Sequence, residues 1–324
     1  MSPLISVIIP TYHRPELLRK CLNALAMQTV STEQFEILVV DDGDQPQTAL
    51  AVRKAMQETG LAIRYLAQPE RRGPAAARNR GWRVALGALI AFTDDDCVPD
   101  SNWLRSGLAG FDCGSSVLTG QLTMPLPKNP TAHERTMALL EKAEFMTANL
   151  FCRRSVLEAV GGFDEAFDSP WREDRELQFK LLRIGVPISA CPDALIVHPM
   201  RPAPWYASLR EERKSRYDAL LYRKHPDLFR QRIPTYSTLV RRHYLTVSAA
   251  LVSAMAALAG QWAMVSAGFT CWLLLTMVLV IDQLAGQRLS WRAIGHALVL
   301  SVATPFLAVY WRLYGAVKYR ALYL

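Results

Sequence analysis

Several short motifs that mark common enzyme classes are missing from this 324-residue sequence. No GxGxxG follows an early strand-like run and no GxxxxGKS/T occurs, so the sequence predicts neither a dinucleotide-binding loop nor a P-loop. GxSxG and HExxH are absent as well, which argues against an α/β-hydrolase and against a zinc protease.

Cysteine is scarce and scattered along the chain. The six cysteines form no CxxC pair, so neither a zinc site built on paired cysteines nor a disulfide framework is expected. The N-terminal stretch lacks a basic segment and has only a short apolar run, so we expect a strand there and not a signal peptide. The scattered cysteines are typical of a protein in a reducing compartment.

Charge is distributed unevenly between the two parts of the chain. Residues 1–200 carry 21 Lys and Arg against 24 Asp and Glu, whereas residues 201–324 carry 16 against 5. The net charge is therefore −3 in the first part and +11 in the second. A basic segment that is also apolar favours an anionic membrane surface as its partner, and no nucleic-acid partner is expected.

The C-terminal part contains long uncharged runs. Residues 245–260 carry no charged side chain, and residues 262–281 form a second such run. Because a membrane-spanning helix needs about 20 apolar residues, we expect a transmembrane helical hairpin over about 244–281. This change in hydropathy predicts a soluble domain of residues 1–235 and a membrane segment of residues 236–324.

Basic residues set the expected orientation of the membrane segment. Arg241 and Arg242 precede the first run. Arg288 and Arg292 follow the second run, and the connection between the two runs carries no charge. Since basic residues favour the cytoplasmic side, the pattern predicts a multi-pass inner-membrane protein with its soluble domain in the cytoplasm.

A third apolar stretch covers about residues 293–324. Pro305 is expected to break it near its middle. If this stretch spanned the membrane, basic residues such as Arg312 and Lys318 would lie on the outer side. We therefore favour a re-entrant or surface-lying segment with aromatic residues at the headgroup level, and a third span is the alternative.

Short apolar runs alternate with helical patterns in the first half of the chain. Runs without period-2 alternation are typical of strands covered on both faces, and the alternation predicts a Rossmann-like, mostly parallel α/β sheet. The predicted strands are Leu4–Ile9, Phe35–Val40, Ile63–Leu66 and Leu89–Phe92. The predicted helices begin at Pro15, cover Thr48–Met56 and cover Pro74–Leu86.

Carboxylates follow two of these predicted strands. Asp41 and Asp42 follow the second strand, and the run Asp94–Asp96 follows the fourth. A helix cap or a turn explains single aspartates well, but three in a row repel one another and favour a bound cation. Alternate residues of the run can face one side, so Asp94 and Asp96 are predicted to share one Mg²⁺ or Mn²⁺.

Several segments together carry a family resemblance. SVIIPTYHRPELLRKCL, EILVVDDGD, RRGPAAARNRGW and AFTDDDCVPD occur in this order and closely resemble family 2 glycosyltransferases with a GT-A fold. The likeness continues through TANLFCRRSVLEAVGGFDEAF, REDRELQFKLLRIG and VHP, and it covers roughly residues 4–200. It implies a GT-A catalytic domain, followed in this chain by C-terminal transmembrane helices.

The resemblance implies a set of residues that bind the donor nucleotide sugar. Asp42 would accept a hydrogen bond from a base N–H, commonly that of uracil. Gly73 would allow a close approach of the backbone, and its neighbours on the following helix are Arg78 and Asn79, for which plain surface solvation is the alternative. The remaining donor-binding residues implied are Pro10, Thr11 and Tyr12 along the nucleobase and ribose, Arg14 at the diphosphate, and Asp94 and Asp95.

The resemblance also implies the metal ligands. The three aspartates correspond to the DxD motif, and His198 corresponds to a further ligand, which gives Asp94, Asp96 and His198 as the metal set. Thr93 stands where many relatives carry an aspartate, so the choice between Asp94 with Asp96 and Asp95 stays open.

Two acidic residues match the family's ED pair. Asp174 is the expected general base for the acceptor hydroxyl, and Glu173 is the expected orienting or acceptor-binding group. Trp171 and Asn149 are weaker candidates for sugar or acceptor contacts.

The leading hypothesis is an inverting, metal-dependent glycosyltransferase at the cytoplasmic face of a membrane. It would move a sugar from a nucleotide-diphosphate sugar, with a UDP-sugar favoured, to a lipid-linked or saccharide acceptor. One alternative, a processive polysaccharide synthase, needs more spanning helices and usually a QxxRW motif, which is absent. The other, a non-catalytic membrane scaffold or transporter, is disfavoured by the acidic motifs and by the uncharged runs.

Overall fold

The computed structural model describes residues 2–234 and 237–323. The chain divides into two compact units. The first consists of Met1–Pro125 and Ala138–Met200, and the second consists of Leu126–Met137 and Arg201–Leu324. The predicted boundary between residues 235 and 236 lies outside the described residues.

One mixed sheet organises the first unit. Among the described residues its strands are β1 (Ile5–Thr11), β2 (Phe35–Asp41), β3 (Ile63–Ala67), β4 (Leu89–Phe92), β5 (Val98–Pro99), β6 (Val117–Thr123), β7 (Leu150–Arg153) and β8 (Ile188–Val197). They lie in the order β3-β2-β1-β4-β7-β6-β8-β5.

The sheet is parallel in its first half and mixed in its second. β1 pairs in parallel with β2 and β4, β2 pairs in parallel with β3, and β6 pairs in parallel with β8. β7 runs antiparallel to β4 and β6, and β5 runs antiparallel to β8. The predicted mostly parallel α/β sheet is therefore confirmed.

Helices connect these strands. They are α1 (Pro15–Ala26), α2 (Pro46–Thr59), α3 (Pro74–Val84), α4 (Trp103–Asp112), α5 (Ala132–Ala138), α6 (Arg154–Val160) and α7 (Glu173–Arg183). Proline stands in the first turn of α1, α2 and α3, where its missing N–H removes no helical bond. Two 3-10 turns, Leu139–Lys142 and Thr147–Asn149, precede β7.

The centre of the sheet is covered on both faces. Every residue of β2 is buried, and in β1 only Pro10 is partly exposed. Ile8, Leu38 and Phe92 contribute to one apolar cluster because the strands that carry them are neighbours. β1 and β2 extend beyond their predicted ends, to Thr11 and Asp41, so the first polar residues of the candidate site are held within the strand ladder.

The described residues of the second unit are largely helical. The helices are α8 (Ala207–Glu211), α9 (Arg216–Lys224), α10 (Pro226–Arg232), α11 (Thr238–Leu258), α12 (Trp262–Leu284) and α13 (Trp291–Lys318), with a 3-10 turn at Glu212–Ser215. Residues 132–137 of α5 also belong to this unit.

α11 and α12 form an antiparallel hairpin. Near the turn, Ser253 Oγ donates to the carbonyl of Val265 at 3.0 Å. Near the open end, Arg242 pairs with Asp282 at 2.5 Å. Contacts at both ends fix the relative direction of the two helices.

Two described helices are long and apolar enough to cross a membrane, α12 and α13. In the apolar 18-residue stretch of each helix, only 22% of α12 and 33% of α13 is buried. The core helices of soluble proteins are mostly buried, so these two helices do not resemble them. α11 does not meet this criterion, because Arg241 and Arg242 lie in its first turns.

The expectation that Pro305 breaks the third apolar stretch is wrong. α13 continues through Pro305 as one helix of 28 residues. A single proline removes one backbone hydrogen bond, and the long apolar flanks of α13 keep the helix intact on either side.

Both ends of α13 contact the shorter helical elements of the second unit. Near its start, the His296 ring stacks on Trp205 with the ring centroids 4.4 Å apart. Near its end, a Cβ on Gly315 would lie 2.6 Å from the carbonyl oxygen of Arg216, so glycine is needed for this close approach.

Candidate active site

The predicted site lies where three neighbouring parallel strands end. β1 lies between β2 and β4, with Thr11 opposite Asp41 and Ile8 opposite Phe92. The carboxyl ends of such strands form one edge of the sheet, which is where open α/β sheets bind ligands. The segments that follow β1, β2 and β4 therefore lie at the same edge of the sheet.

Asp95 is held by two residues at the end of β1. Thr11 Oγ1 donates to Asp95 Oδ2 at 2.8 Å, and Arg14 Nη1 donates to Asp95 Oδ1 at 3.1 Å. Burial raises the pKa of Asp95 to about 6, an effect that Arg14 opposes. Both carboxylate oxygens of Asp95 thus have partners from the chain.

Arg78 joins the aspartate run to the ED pair. Its guanidinium donates to Asp94 Oδ1 at 2.8 Å and to Glu173 Oε1 at 3.2 Å. Arg78 is 3% exposed, so the alternative of plain surface solvation is wrong for this residue. The pKa of Asp94 is raised by burial and lowered by Arg78, and its net direction is downward.

Asp96 lies beside His198. The antiparallel pairing of Val98 with Val197 brings the end of the aspartate run to the end of β8. His198 Nε2 is then 3.4 Å from Asp96 Oδ1. Candidate ligand atoms of Asp96, Cys97 and His198 all lie within 4.8 Å of one another.

The imidazole of His198 also has a buried atom without a hydrogen bond. His198 is 9% exposed, and within residues 2–234 and 237–323 no partner reaches its Nδ1. A buried polar atom without a partner is costly, and together with the carboxylate of Asp96 it fits the donor set of a divalent cation.

Asp42 organises the loop that precedes α3. Its carboxylate accepts hydrogen bonds from Gln68 Nε2 and from the backbone N–H groups of Arg72 and Gly73, at 2.7–2.8 Å. Gly73 has φ +89°, and a Cβ there would lie 2.3 Å from the carbonyl oxygen of Asp168. The backbone at Gly73 therefore closely approaches the backbone at Asp168, in another loop of the same chain.

Tyr12 lies between two segments of the strand-end edge. A Cβ on Gly43 would lie 2.8 Å from Tyr12 Cε2, so glycine leaves room for the ring. On the ring, the Arg71 guanidinium is 4.4 Å from the centroid. Tyr12 and its neighbour Pro10 are partly exposed, as a surface that lines a ligand requires.

The ED pair begins α7. Glu173 is buried and Asp174 is partly exposed. Burial, followed by the charge of Asp174, raises the pKa of Glu173 above its usual range. Arg172 precedes the pair with φ +73°, a left-handed conformation that starts the helix directly at Glu173.

The side chains of Asn79 and Asn149 form hydrogen bonds within the protein. Asn79 Nδ2 donates to the carbonyl of Phe163 at 2.8 Å and to Glu165 Oε1 at 2.9 Å, so its alternative of surface solvation is also wrong. Asn149 is fully buried and ties strands β6 and β8 together through the carbonyls of Gln121 and Ala194. This arrangement does not support a sugar contact by Asn149.

Sequence reasoning missed three residues of this region. Cys97 follows the aspartates directly, but its nearness to His198 depends on the pairing of β5 with β8. Gln68 and Glu165 bind Asp42 and Asn79 across separations of 26 and 86 residues, which no local pattern reveals. Trp171, by contrast, is 41% exposed beside the ED pair, where the sequence predicts it.

The chain matches known protein sequences over this region. The family model described as glycosyl transferase family 2 matches residues 6–163. The glycosyltransferase AglE of Haloferax volcanii is 33% identical over 214 residues, which cover 62% of this chain and 68% of AglE. The chain spans 53% and 49% of the length of two further curated relatives.

Solved structures share the fold. The mannosyltransferase PcManGT from Pyrobaculum calidifontis, in complex with GDP-Man and Mn²⁺, has a TM-score of 0.58 at 20% identity, over 93% of this chain and 88% of that one. TarS of S. aureus in complex with UDP-GlcNAc has a TM-score of 0.53 at 16% identity, over 99% and 93%. These likenesses confirm the GT-A-like fold that the sequence predicts.

Proposed function

Because the chain belongs to the family 2 glycosyl transferases, we propose that it transfers a sugar from a nucleotide-diphosphate sugar to a lipid-linked or saccharide acceptor. The observation that carries this proposal is the convergence of the strand ends. There Asp96 lies beside His198 on one side, and Arg78 links Asp94 to Glu173 on the other.

The donor nucleotide binds along the ends of β1 and β2. Tyr12 presents a ring for the nucleobase or ribose, Asp42 lies at the end of β2, and Arg14 brings positive charge to the diphosphate. Gly73 lies in the loop held by Asp42. The complexes of PcManGT with GDP-Man and of TarS with UDP-GlcNAc support a nucleotide-sugar donor, and we propose a UDP-sugar.

Asp94, Asp96 and His198 hold a divalent cation, Mn²⁺ or Mg²⁺, in this proposal. The cation supplies positive charge that neutralises the leaving nucleoside diphosphate. The buried Nδ1 of His198 and the short distance from His198 to Asp96 fit this set. Asp95 remains with Thr11 and Arg14 and shapes the donor side of the edge.

Asp174 is the general base. It takes the proton of the acceptor hydroxyl while the acceptor oxygen attacks C1 of the sugar from the face opposite the diphosphate. The bond from C1 to the phosphate oxygen breaks as the new glycosidic bond forms, so the configuration inverts through an oxocarbenium-like transition state. Glu173 stays paired with Arg78 and orients the start of α7.

The test is donor hydrolysis by the full chain, screened over UDP-, GDP- and dTDP-sugars with Mn²⁺ or Mg²⁺. We expect cleavage of UDP-sugars that stops on chelation and is lost in Asp96→Asn. Asp112→Asn, a matched change on the exposed end of α4, is expected to behave as the wild type. Full activity of Asp96→Asn in chelator would overturn the metal-dependent mechanism.

We also propose that the second unit attaches the enzyme to the cytoplasmic face of a membrane. In this arrangement the α11–α12 hairpin enters the lipid and α13 lies along the surface. From His296 to Gly315 α13 rises about 28 Å, nearly the thickness of the hydrocarbon core. Both residues contact the charged segment 205–223, which supports placing the two ends of α13 on one side.

A further inference from the structure

Cys97 is the one member of the cluster beside His198 that the proposed mechanism does not use. Its side chain is completely buried, and its backbone N–H donates to the carbonyl of Asp94 at 3.1 Å, which fixes it in the turn after β4. Ligand atoms of Asp96, Cys97 and His198 lie within 4.8 Å of one another. The three side chains offer one oxygen, one sulfur and one nitrogen.

This donor set differs from one that suits Mg²⁺ or Mn²⁺. Those ions prefer oxygen ligands, whereas a thiolate with an imidazole selects softer ions such as Zn²⁺. Three protein ligands with an open fourth position are also a common arrangement for zinc in proteins. His198 turns its Nε2 toward this cluster, 3.4 Å from Asp96 Oδ1, and the imidazole is 9% exposed.

The position of Cys97 decides what a soft cation would do. Cys97 has no exposed surface, whereas 27% of the Asp94 side chain is exposed, so Cys97 lies on the inner side of the cluster. A cation bound to Cys97 is therefore drawn inward. Asp94, whose carboxylate accepts a hydrogen bond from Arg78 at 2.8 Å, is not a member of this cluster.

We propose that Asp96, Cys97 and His198 form an inhibitory site for Zn²⁺ that excludes Mn²⁺ or Mg²⁺ from the donor-binding edge. This inference rests on the proposed use of Asp94, Asp96 and His198 for the activating cation. Binding forms a bond from zinc to sulfur, and the thiol proton leaves to solvent. Because two ligands are shared, the two cations cannot be bound together, and zinc lowers donor turnover by displacement.

The first experiment identifies the sulfur ligand without measuring activity. Co²⁺ is added to the full chain in detergent, and the near-ultraviolet charge-transfer absorption of a cobalt–thiolate bond is recorded. We expect this band in the wild type and its loss in Cys97→Ser. Cys21→Ser is the matched control, because Cys21 is also buried and lies near the same aspartates, and it is expected to keep the band.

The second experiment measures the competition by electron paramagnetic resonance of Mn²⁺. Zn²⁺ is expected to release bound Mn²⁺ from the wild type. In Cys97→Ser, Mn²⁺ still binds, but the zinc concentration needed for release rises by more than about tenfold, since a direct ligand is lost. Cys97→Ala is a second variant that removes the sulfur and is expected to behave in the same way.

The following results would overturn either the proposed zinc site or the proposed activating-cation site. A cobalt–thiolate band that persists in Cys97→Ser, or that disappears in Cys21→Ser, would overturn the proposed zinc site. Loss of Mn²⁺ binding in both Cys97 variants would also overturn it, because the proposed Mn²⁺ ligands do not include sulfur. If Asp94→Asn left Mn²⁺ binding unchanged, the activating-cation set of the proposed function would be wrong instead.

Discussion

The strand-end edge of the first unit and the long helices of the second unit depart from the usual rules of soluble proteins in opposite ways. In the first unit, charged groups such as Arg78, Asp95 and Glu173 are buried. In the second unit, large apolar side chains such as Leu258 and Trp291 are 92% and 90% exposed. Buried charge and exposed apolar surface are the two informative exceptions to the usual distribution of residues in soluble proteins.

The two regions are also stabilised differently. At the strand-end edge each of the three aspartates faces a cationic or hydrogen-bonding side chain, so removal of one partner leaves a buried charge. In the helical hairpin the helices approach through small residues, with the Cβ position of Gly268 3.0 Å from Ser253. The stability of the strand-end edge therefore depends on single charged side chains, whereas the stability of the hairpin depends on the solvent or lipid around it.

The largest expected effect is that of Asp174→Asn, which keeps the size of the side chain and removes its basicity. Turnover should fall by at least about 10²-fold, the usual scale for loss of a general base. Donor affinity should change little, because Asp174 is not among the donor-binding residues. Steady-state kinetics with nucleotide-binding titration measure both, and Asp193→Asn on β8 is an exposed control. Collapse of donor binding would contradict the assignment.

A second change breaks the buried ion pairs of the edge. Arg78→Met leaves Asp94 and Glu173 without their guanidinium, so the free energy of unfolding should fall by about 3–5 kcal/mol. Arg80→Met on the exposed face of α3 is the matched control and should change stability little. Denaturant unfolding of the two variants provides the comparison. Equal stabilities would show that Arg78 does not hold the edge together.

Sequence alone predicts the parts of the site that local patterns encode. β4 occupies the predicted Leu89–Phe92 and α3 begins at the predicted Pro74, because hydrophobic runs and a proline in the first helical turn are local signals. The family resemblance rests on motifs that are each short and continuous in the sequence. These motifs predict which residues line the strand-end edge. Polar residues after parallel strands then converge for topological reasons.

Local sequence patterns do not predict contacts between segments that lie far apart in the sequence. The resemblance implies a donor contact for Arg78, and no local pattern predicts its hydrogen bond to Glu173, 95 residues further along the chain. Asn149 and Cys97 acquire their partners only when β6, β8 and β5 pair. Pro305 suggested a break, but tertiary packing overrides a single local preference within a long helix.

Cysteine labelling from outside the cell tests the proposed membrane arrangement of α11, α12 and α13. In a background without the exposed Cys113 and Cys271, Gly260→Cys should be labelled because it lies in the hairpin turn. Trp291→Cys and Val317→Cys, at the two ends of α13, should both be protected. Labelling at either α13 position would mean that α13 spans the membrane. Protection of position 260 would exclude the hairpin.

The smallest expected effect concerns the one place where the second unit resembles the first, a carboxylate cluster around Arg312. Asp218 is buried 3.7 Å from the Arg312 guanidinium, and Glu212 is close to both. Burial raises the pKa of Glu212 to about 7, Arg312 opposes this, and Asp218 adds to it. Since the folded pKa lies above the unfolded value, protonated Glu212 contributes stability at low pH, and this contribution is lost as pH rises through about 7.

The thermal midpoint of the full chain in detergent should therefore fall between about pH 5 and pH 8 by more in the wild type than in Glu212→Gln, which cannot ionise. Asp227→Asn is the control, because Asp227 is exposed on α10 and its change should leave the slope as in the wild type. The expected difference is small, since Arg312 offsets part of the cost of ionising Glu212 and only one group is altered. Equal slopes in all three proteins would show that the burial of Glu212 does not contribute to the pH dependence of stability.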